Sequence, residues 1–267
     1  MSGATGMCSG CAMNDALLIT GCAHGIGRAA AVMAAARGVK LALLDLDGAA
    51  LGALADELRA AHPGLAIVTA IVDVTQAEAL AAAMRGAAET LGGFRAVIAN
   101  AGGVSSLVVA GMLPGAFSPF TDSRPAEWRR IIDLNLFGVL NTAHAAVPML
   151  LEAGSGRLVL VASVAGLVGA PGLGVYAASK GAVIAFGKSL AKELAPRGIS
   201  VNTVAPGGVA TRAFPPGSPG AAKRAERIPM GRLAAPEEVA NTLLYFALDA
   251  PDYVTGEVLS VSGGPPA

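Results

Sequence analysis

From Asp15 onward, short apolar runs alternate with longer Ala-rich stretches whose apolar residues recur at helical spacing. The runs are Ala16 to Ile19, Leu41 to Leu44, Ile67 to Val72, Val97 to Ala99, Leu158 to Val161 and Val201 to Val204, with Val258 to Val261 as a final strand. Between them the spacing predicts helices over Arg28 to Arg37, Ala49 to Arg59, Gln76 to Leu91, Glu127 to Leu150 and Tyr176 to Leu194. Gly38 and Gly198 are placed to end two of these helices. Runs apolar throughout belong to strands buried on both faces, so the repeat predicts a doubly wound α/β fold with a parallel sheet between two helical layers. Ligands of such sheets bind beyond the carboxyl ends of the strands.

No Pro/Gly linker divides the chain, so one domain over residues 15–267 is expected behind a flexible Gly/Ser-rich tail, 1–14. Two stretches break the rhythm, at about 103–125 and 207–229, the second holding the Pro-rich run Phe214 to Gly220; both are expected to be substrate loops.

Composition narrows the function classes. Nineteen basic residues balance nineteen acidic ones without a run of Lys or Arg, which removes the footprint of a nucleic-acid or anionic-membrane binder. The first fifteen residues lack the pattern of a signal peptide, and no later stretch reads as a membrane span, so a cytoplasmic protein is expected. With 54% hydrophobic and 14% charged residues, the helices need cover, which points to a homo-oligomer. Cys8, Cys11 and Cys22 form no disulfide framework, and Cys8-x-x-Cys11 without clustered histidines is a poor zinc site. His24, His62 and His144 are scattered, so no metal is expected.

The segment Thr20-Gly21-Cys22-Ala23-His24-Gly25-Ile26-Gly27 follows the first strand and opens a helix, where glycines let backbone approach a pyrophosphate. Asp45 ends the next strand, and a carboxylate there can accept both adenosine ribose hydroxyls while opposing the 2′-phosphate of NADP. Neither positions 22 to 24 nor Leu46 supplies an Arg or Lys to offset that repulsion, so NAD is favoured. Asp73 before Val74, and Asn100 opening Asn100-Ala101-Gly102, add polar strand ends on the same edge, although either residue could simply cap a turn.

Tyr176 and Lys180 stand four apart on one helical face near the strand carrying Ser163. A neighbouring ammonium lowers a tyrosine pKa from its ordinary value near 10 and fits it for proton transfer. On spacing alone they could equally be an exposed i,i+4 pair, with Ser163 a helix cap. The combination of T-G-x-x-x-G-x-G at Thr20 to Gly27, N-A-G at Asn100 to Gly102, Asn135, Ser163, Y-x-x-x-K at Tyr176 to Lys180, Pro206-Gly207 and Thr211 resembles the short-chain dehydrogenase/reductase family over nearly everything after Asp15.

That resemblance implies a single seven-stranded Rossmann-type domain, a dimer or tetramer, and hydride transfer between a nicotinamide and a carbonyl carbon. It implies that Tyr176 exchanges the proton, Ser163 holds the substrate oxygen, Lys180 binds the nicotinamide ribose and Asn135 holds a water. Pro206, Gly207, Val209 and Thr211 would flank the nicotinamide. The sequence departs from the family pattern at Ala99 and Ser262, where Asn and Asp are common, and in the length of the 103–125 stretch.

The expected activity is NAD-dependent interconversion of a secondary alcohol and a ketone. The alternatives are an NADPH-dependent 3-oxoacyl thioester reductase and a catalytically silent NAD-binding module. Val104, Leu107, Val108, Leu113, Leu167, Val168 and Phe214 suggest an apolar lining and a neutral substrate, while Arg124 and Arg212 could instead hold an acidic one. His144 reads as a core or interface residue.

Overall fold

In a computed structural model, the structure describes residues 16–103, 119–212 and 214–264. Seven parallel strands form one sheet in the order β3-β2-β1-β4-β5-β6-β7. They are β1 (Ala16–Thr20), β2 (Lys40–Asp45), β3 (Ile67–Ile71), β4 (Ala96–Ala99), β5 (Gly156–Val161), β6 (Ile199–Pro206) and β7 (Val258–Val261). The order reverses between β1 and β4, and the carboxyl ends there flank a crevice, the place where doubly wound sheets take ligands. Every apolar run seen in the sequence is a strand, six of them matching or extended by up to two residues at an end; β3 stops one residue short, at Ile71, and as an edge strand it is partly exposed rather than buried on both faces. β1, β4 and β6 are buried along their whole length; β4 is apolar throughout and β1 up to its terminal Thr20, whereas β6 holds the buried polar residues Ser200, Asn202 and Thr203.

The helices are α1 (Gly25–Ala35), α2 (Gly48–Ala61), α3 (Ala77–Leu91), α4 (Pro125–Ile132), α5 (Gly138–Glu152), α6 (Ala165–Val168), α7 (Gly174–Leu194), α8 (Pro219–Ala225) and α9 (Pro236–Leu244). They cover both faces of the sheet. One core joins α1, α2 and α9 to the sheet through Leu17, Ile19, Leu41, Ile98 and Val204. The other joins α3, α5 and α7 through Leu18, Leu44, Val97, Leu158 and Val201. Gly38 and Gly198 adopt φ of 72° and 74° just past their helices, as expected.

Three expectations need correction. The helix from residue 127 is not uniform: α4 passes into a π-helical turn at Asp133–Phe137 before α5, so Asn135 sits on a widened turn. This combined helix, Pro125–Glu152, is long and apolar enough to cross a membrane, contrary to the sequence expectation. Residues of its second half, including Val139, Ala143, Ala146 and Leu150, pack in the core with β4 and β5, as in a core helix. His144 is exposed on α5 and is not a core residue. The tail with Cys8 and Cys11, and the apolar positions Val104, Leu107, Val108 and Leu113, lie outside the described residues.

Candidate active site

A cavity of about 1600 Å³ opens over the carboxyl ends of the strands. Its floor at one end is the turn from β1 into α1. Gly21 has φ of 66°, and a Cβ there would lie 2.6 Å from the Ala101 Cα. A Cβ on Gly27 would collide with the Gly21 carbonyl oxygen and come within 2.6 Å of the Asn100 amide nitrogen. Asn100 holds this approach together by donating to the carbonyls of Thr20 and Gly21 at 3.1 and 2.8 Å. The buried Thr20 hydroxyl accepts the Asn100 and Ala101 N–H groups, each at 3.2 Å. The mouth of α1 carries neither a side-chain cap nor an acidic residue in its first turn, an arrangement suited to a pyrophosphate.

Asp45 closes the same end. Its two oxygens accept N–H groups from Ala23 at 2.8 Å and Asp47 at 3.0 Å, which fix its orientation in the cavity wall. His24 contacts Asp47 at 2.8 Å, and that hydrogen bond, ahead of the Ala50 N–H, holds the Asp47 carboxyl below the ordinary range. Asp73 caps the next turn through the Thr75 N–H at 2.9 Å and still lines the cavity. Two cradling glycines, an uncapped helix mouth and a fixed carboxylate make a donor and acceptor set that fits a dinucleotide.

At the other end stand Ser163, beyond β5, and Tyr176 and Lys180 on α7. Burial pushes the Tyr176 phenol up, while a hydrogen bond with Ser163 and the charge of Arg224 pull it down. Lys180 is 2% exposed, and burial lowers its pKa to about 8. Its ammonium donates to the Val161 carbonyl at 2.9 Å and lies 5.9 Å from the centre of the Tyr176 ring. Lys180 is therefore in the expected place, but Ser163 and Arg224 are the groups that counter the burial of the phenol.

Asn135 is fully buried behind this wall. Its oxygen accepts the Gly103 N–H at 2.7 Å and its amide donates to the Ile131 carbonyl at 3.0 Å. Gly102, at φ of 148°, lies between the two groups: a Cβ there would come 2.9 Å from the Asn135 oxygen and 3.3 Å from the Lys180 ammonium.

All but two of the catalytic and cofactor-binding residues expected from the sequence line this one cavity: Gly21, His24, Gly25, Ile26, Asp45, Leu46, Asp73, Val74, Asn100, Ala101, Gly102, Ser163, Tyr176, Lys180, Pro206, Gly207, Val209 and Thr211. The exceptions are Gly27 and Asn135, which are buried beneath it. Over residues 21–265 the chain matches the profile of the family described as enoyl-(acyl carrier protein) reductase. It is 35% identical over 248 residues to a 3-oxoacyl-[acyl-carrier-protein] reductase of Thermotoga maritima, covering 92% of this chain and 96% of that one. The chain is a short-chain dehydrogenase/reductase.

Other members of the family lie equally near. A 2-dehydro-3-deoxy-L-rhamnonate dehydrogenase (NAD(+)) of a Sphingomonas species is 36% identical over 252 residues, covering 92% of this chain and 93% of its own. The crystal structure of a 3-oxoacyl-[acyl-carrier protein] reductase from Brucella melitensis with bound NAD superposes with a TM-score of 0.81 at 37% identity, covering 93% and 90% of the two chains. The family is one of oxidoreductases with a nicotinamide cofactor.

In this short-chain dehydrogenase/reductase, sequence reasoning missed Arg224. The residue lines the cavity from α8, with its guanidinium carbon 5.0 Å from the centre of the Phe214 ring. Of the two arginines singled out instead, Arg212 lines the cavity, whereas Arg124 forms an exposed cap with Glu127 at 2.6 Å. Val168 and Phe214 join the apolar lining, and Leu167 does not. Among the described residues no group of His, Cys, Asp and Glu is arranged to hold a metal.

Proposed function

We propose that this chain is an NAD-dependent oxidoreductase that interconverts a secondary alcohol and a ketone. The reading rests on one arrangement: Ser163, Tyr176 and Lys180 share a cavity wall whose far end presents Asp45. In oxidation the carbinol carbon gives up its hydrogen as hydride, the carbinol O–H proton passes to Tyr176 in its phenolate form, and the C=O bond forms. A nicotinamide cofactor held by the β1 to α1 turn, Asp45 and Lys180 would supply the hydride acceptor, or the donor in the reverse direction. Ser163 donates a hydrogen bond to the substrate oxygen and holds it beside the phenol. Burial raises the Tyr176 phenol, which suits a proton donor to a ketone oxygen, and the hydrogen bond with Ser163 and the charge of Arg224 offset part of that shift. Lys180 binds the nicotinamide ribose, and Asn135 fixes Gly103 and with it the wall beside Lys180.

Asp45 and Asp47 together favour NAD, because a 2′-phosphate at this end would meet two carboxylates. The rhamnonate dehydrogenase that carries NAD(+) in its name supports the same choice. Similarity to 3-oxoacyl-[acyl-carrier-protein] reductases favours the second reading, reduction of a 3-oxoacyl thioester, for which NADPH was the expected cofactor. A silent NAD-binding module is opposed by the intact proton-transfer set. The protein is taken to be a cytoplasmic dimer or tetramer, with exposed Phe137, Ile71 and Leu259 among the apolar residues that subunit contacts would cover.

Fluorescence titration with NADH and NADPH, beside a screen of secondary alcohols with NAD, tests this reading. NADH should bind more tightly, and Tyr176→Phe should lower kcat by about a hundredfold or more without weakening NADH binding. A clear NADPH preference would reverse the assignment of Asp45. Turnover indifferent to Tyr176→Phe would remove the proposed chemistry.

A further inference from the structure

The cavity is electrically divided. Asp45, Asp47 and Asp73 form its adenosine end, whereas Lys223, Arg224 and Arg227, from α8 and the turn after it, line the end near Tyr176. Glu226, in the same segment, is exposed and stays out of the wall. Arg130 and Arg212 also line the cavity, and the charge of Arg212 acts on Asp47. Asp133, the remaining acid of the wall, also lines a neighbouring depression with Thr75, Glu78 and Asn141, on the side of β3 and α3.

Of the three cations Lys223, Arg224 and Arg227, Arg224 is the one whose charge acts on the Tyr176 phenol. It rests over the Phe214 ring, a contact made with the face of a guanidinium. The backbone makes room for it: a Cβ on Gly208 would lie 3.2 Å from the Arg224 Nε, and 2.9 Å from Ile228 and Leu233 side-chain carbons. Burial opposes the charge of this guanidinium.

We propose that the substrate carries a carboxylate a few carbon atoms from its carbinol carbon, and that Arg224 binds this carboxylate while Ser163 and Tyr176 bind the carbinol oxygen. This replaces the neutral substrate expected from the apolar lining. It deepens the oxidoreductase reading and rests on it.

The test is calorimetric titration of the full chain, saturated with NADH, with acid and amide pairs of equal shape: cyclohexanecarboxylate and its carboxamide, benzoate and benzamide, butyrate and butyramide. In at least one pair the wild type should bind the acid about tenfold more tightly or better. Arg224→Leu should abolish that preference and leave NADH affinity within about twofold; Arg224→Lys, which keeps the charge and loses the fork, should retain part of it. Retained NADH binding shows that the variants are folded.

Discrimination in none of the pairs, or a preference that survives Arg224→Leu, overturns the proposal. So does tight binding of acetoacetyl-CoA that falls with Lys223→Ala and Arg227→Ala while no acid is preferred, which would assign the cations to a thioester's phosphates. Failure of the oxidoreductase reading looks different: NADH does not bind, or Tyr176→Phe leaves alcohol turnover unchanged.

Discussion

The ammonium of Lys180 is held at a free-energy cost, because it is fully enclosed and the described hydrogen bond runs to a neutral carbonyl, that of Val161. A fall in pKa from 10.5 to about 8 corresponds to roughly 3 kcal/mol against the charged form. The sign of the pH effect follows from the two states. Folded Lys180 sheds its proton near pH 8 and the unfolded chain near 10.5, so between these values the unfolded state holds more protons and stability rises with pH. Below pH 8 the cost is borne in full. Urea unfolding of the wild type and Lys180→Met should therefore diverge with pH, the wild type gaining roughly 3 kcal/mol on the variant between pH 7 and 10.5. A constant difference would show that Lys180 is not desolvated.

At the scale of elements, the β1 to α1 turn tolerates no side chain at Gly27, because the approach to Gly21, Cys22 and Asn100 is already closed. Gly27→Ala should destabilise the fold by about 1–3 kcal/mol through overpacking. It should also weaken NADH binding by about tenfold or more, since the whole pyrophosphate cradle must shift; thermal melting and fluorescence titration read the two effects. Strands and their order of appearance were legible because buried parallel strands are largely apolar, as Leu17 to Ile19 and Leu158 to Val161 show. The π turn at Asp133–Phe137 was not, because the apolar spacing around it continues as in an ordinary helix. α8 carried a readable signal in Ser218 followed by Pro219, an N-cap and a first-turn proline, and Ser218 does accept the Ala221 N–H at 3.2 Å. The surrounding prolines and glycines masked it as loop. Arg224 could not be placed from sequence, since its partners Tyr176 and Phe214 reach it only through the tertiary path of the chain.

Over the whole molecule, the two ends of the site are built by different means. The adenosine end is made of strand termini and tight turns, each fixed by backbone hydrogen bonds such as those to Asp45. The substrate end depends on a long excursion between β6 and α9. That excursion leaves and returns at one place: Val209 and Ala234 form a parallel bridge, the Ala210 N–H donates to the Ala234 carbonyl, and the Ala234 N–H donates to the Gly208 carbonyl, both at 2.9 Å. A further tie runs from the Met230 N–H to the Gly263 carbonyl at 3.0 Å. A segment with joined ends is closed by its frame rather than by its own sequence, and changes within it cost the frame little. The stretch from Phe214 to Arg227 is thus a replaceable cartridge: exchanging it for the matching stretch of another family member should transplant the donor's choice of alcohol while NADH affinity and the unfolding midpoint stay with the host. In such a fold, new specificities can be acquired by swapping a single peptide and leaving the hydride-transfer machinery as it stands.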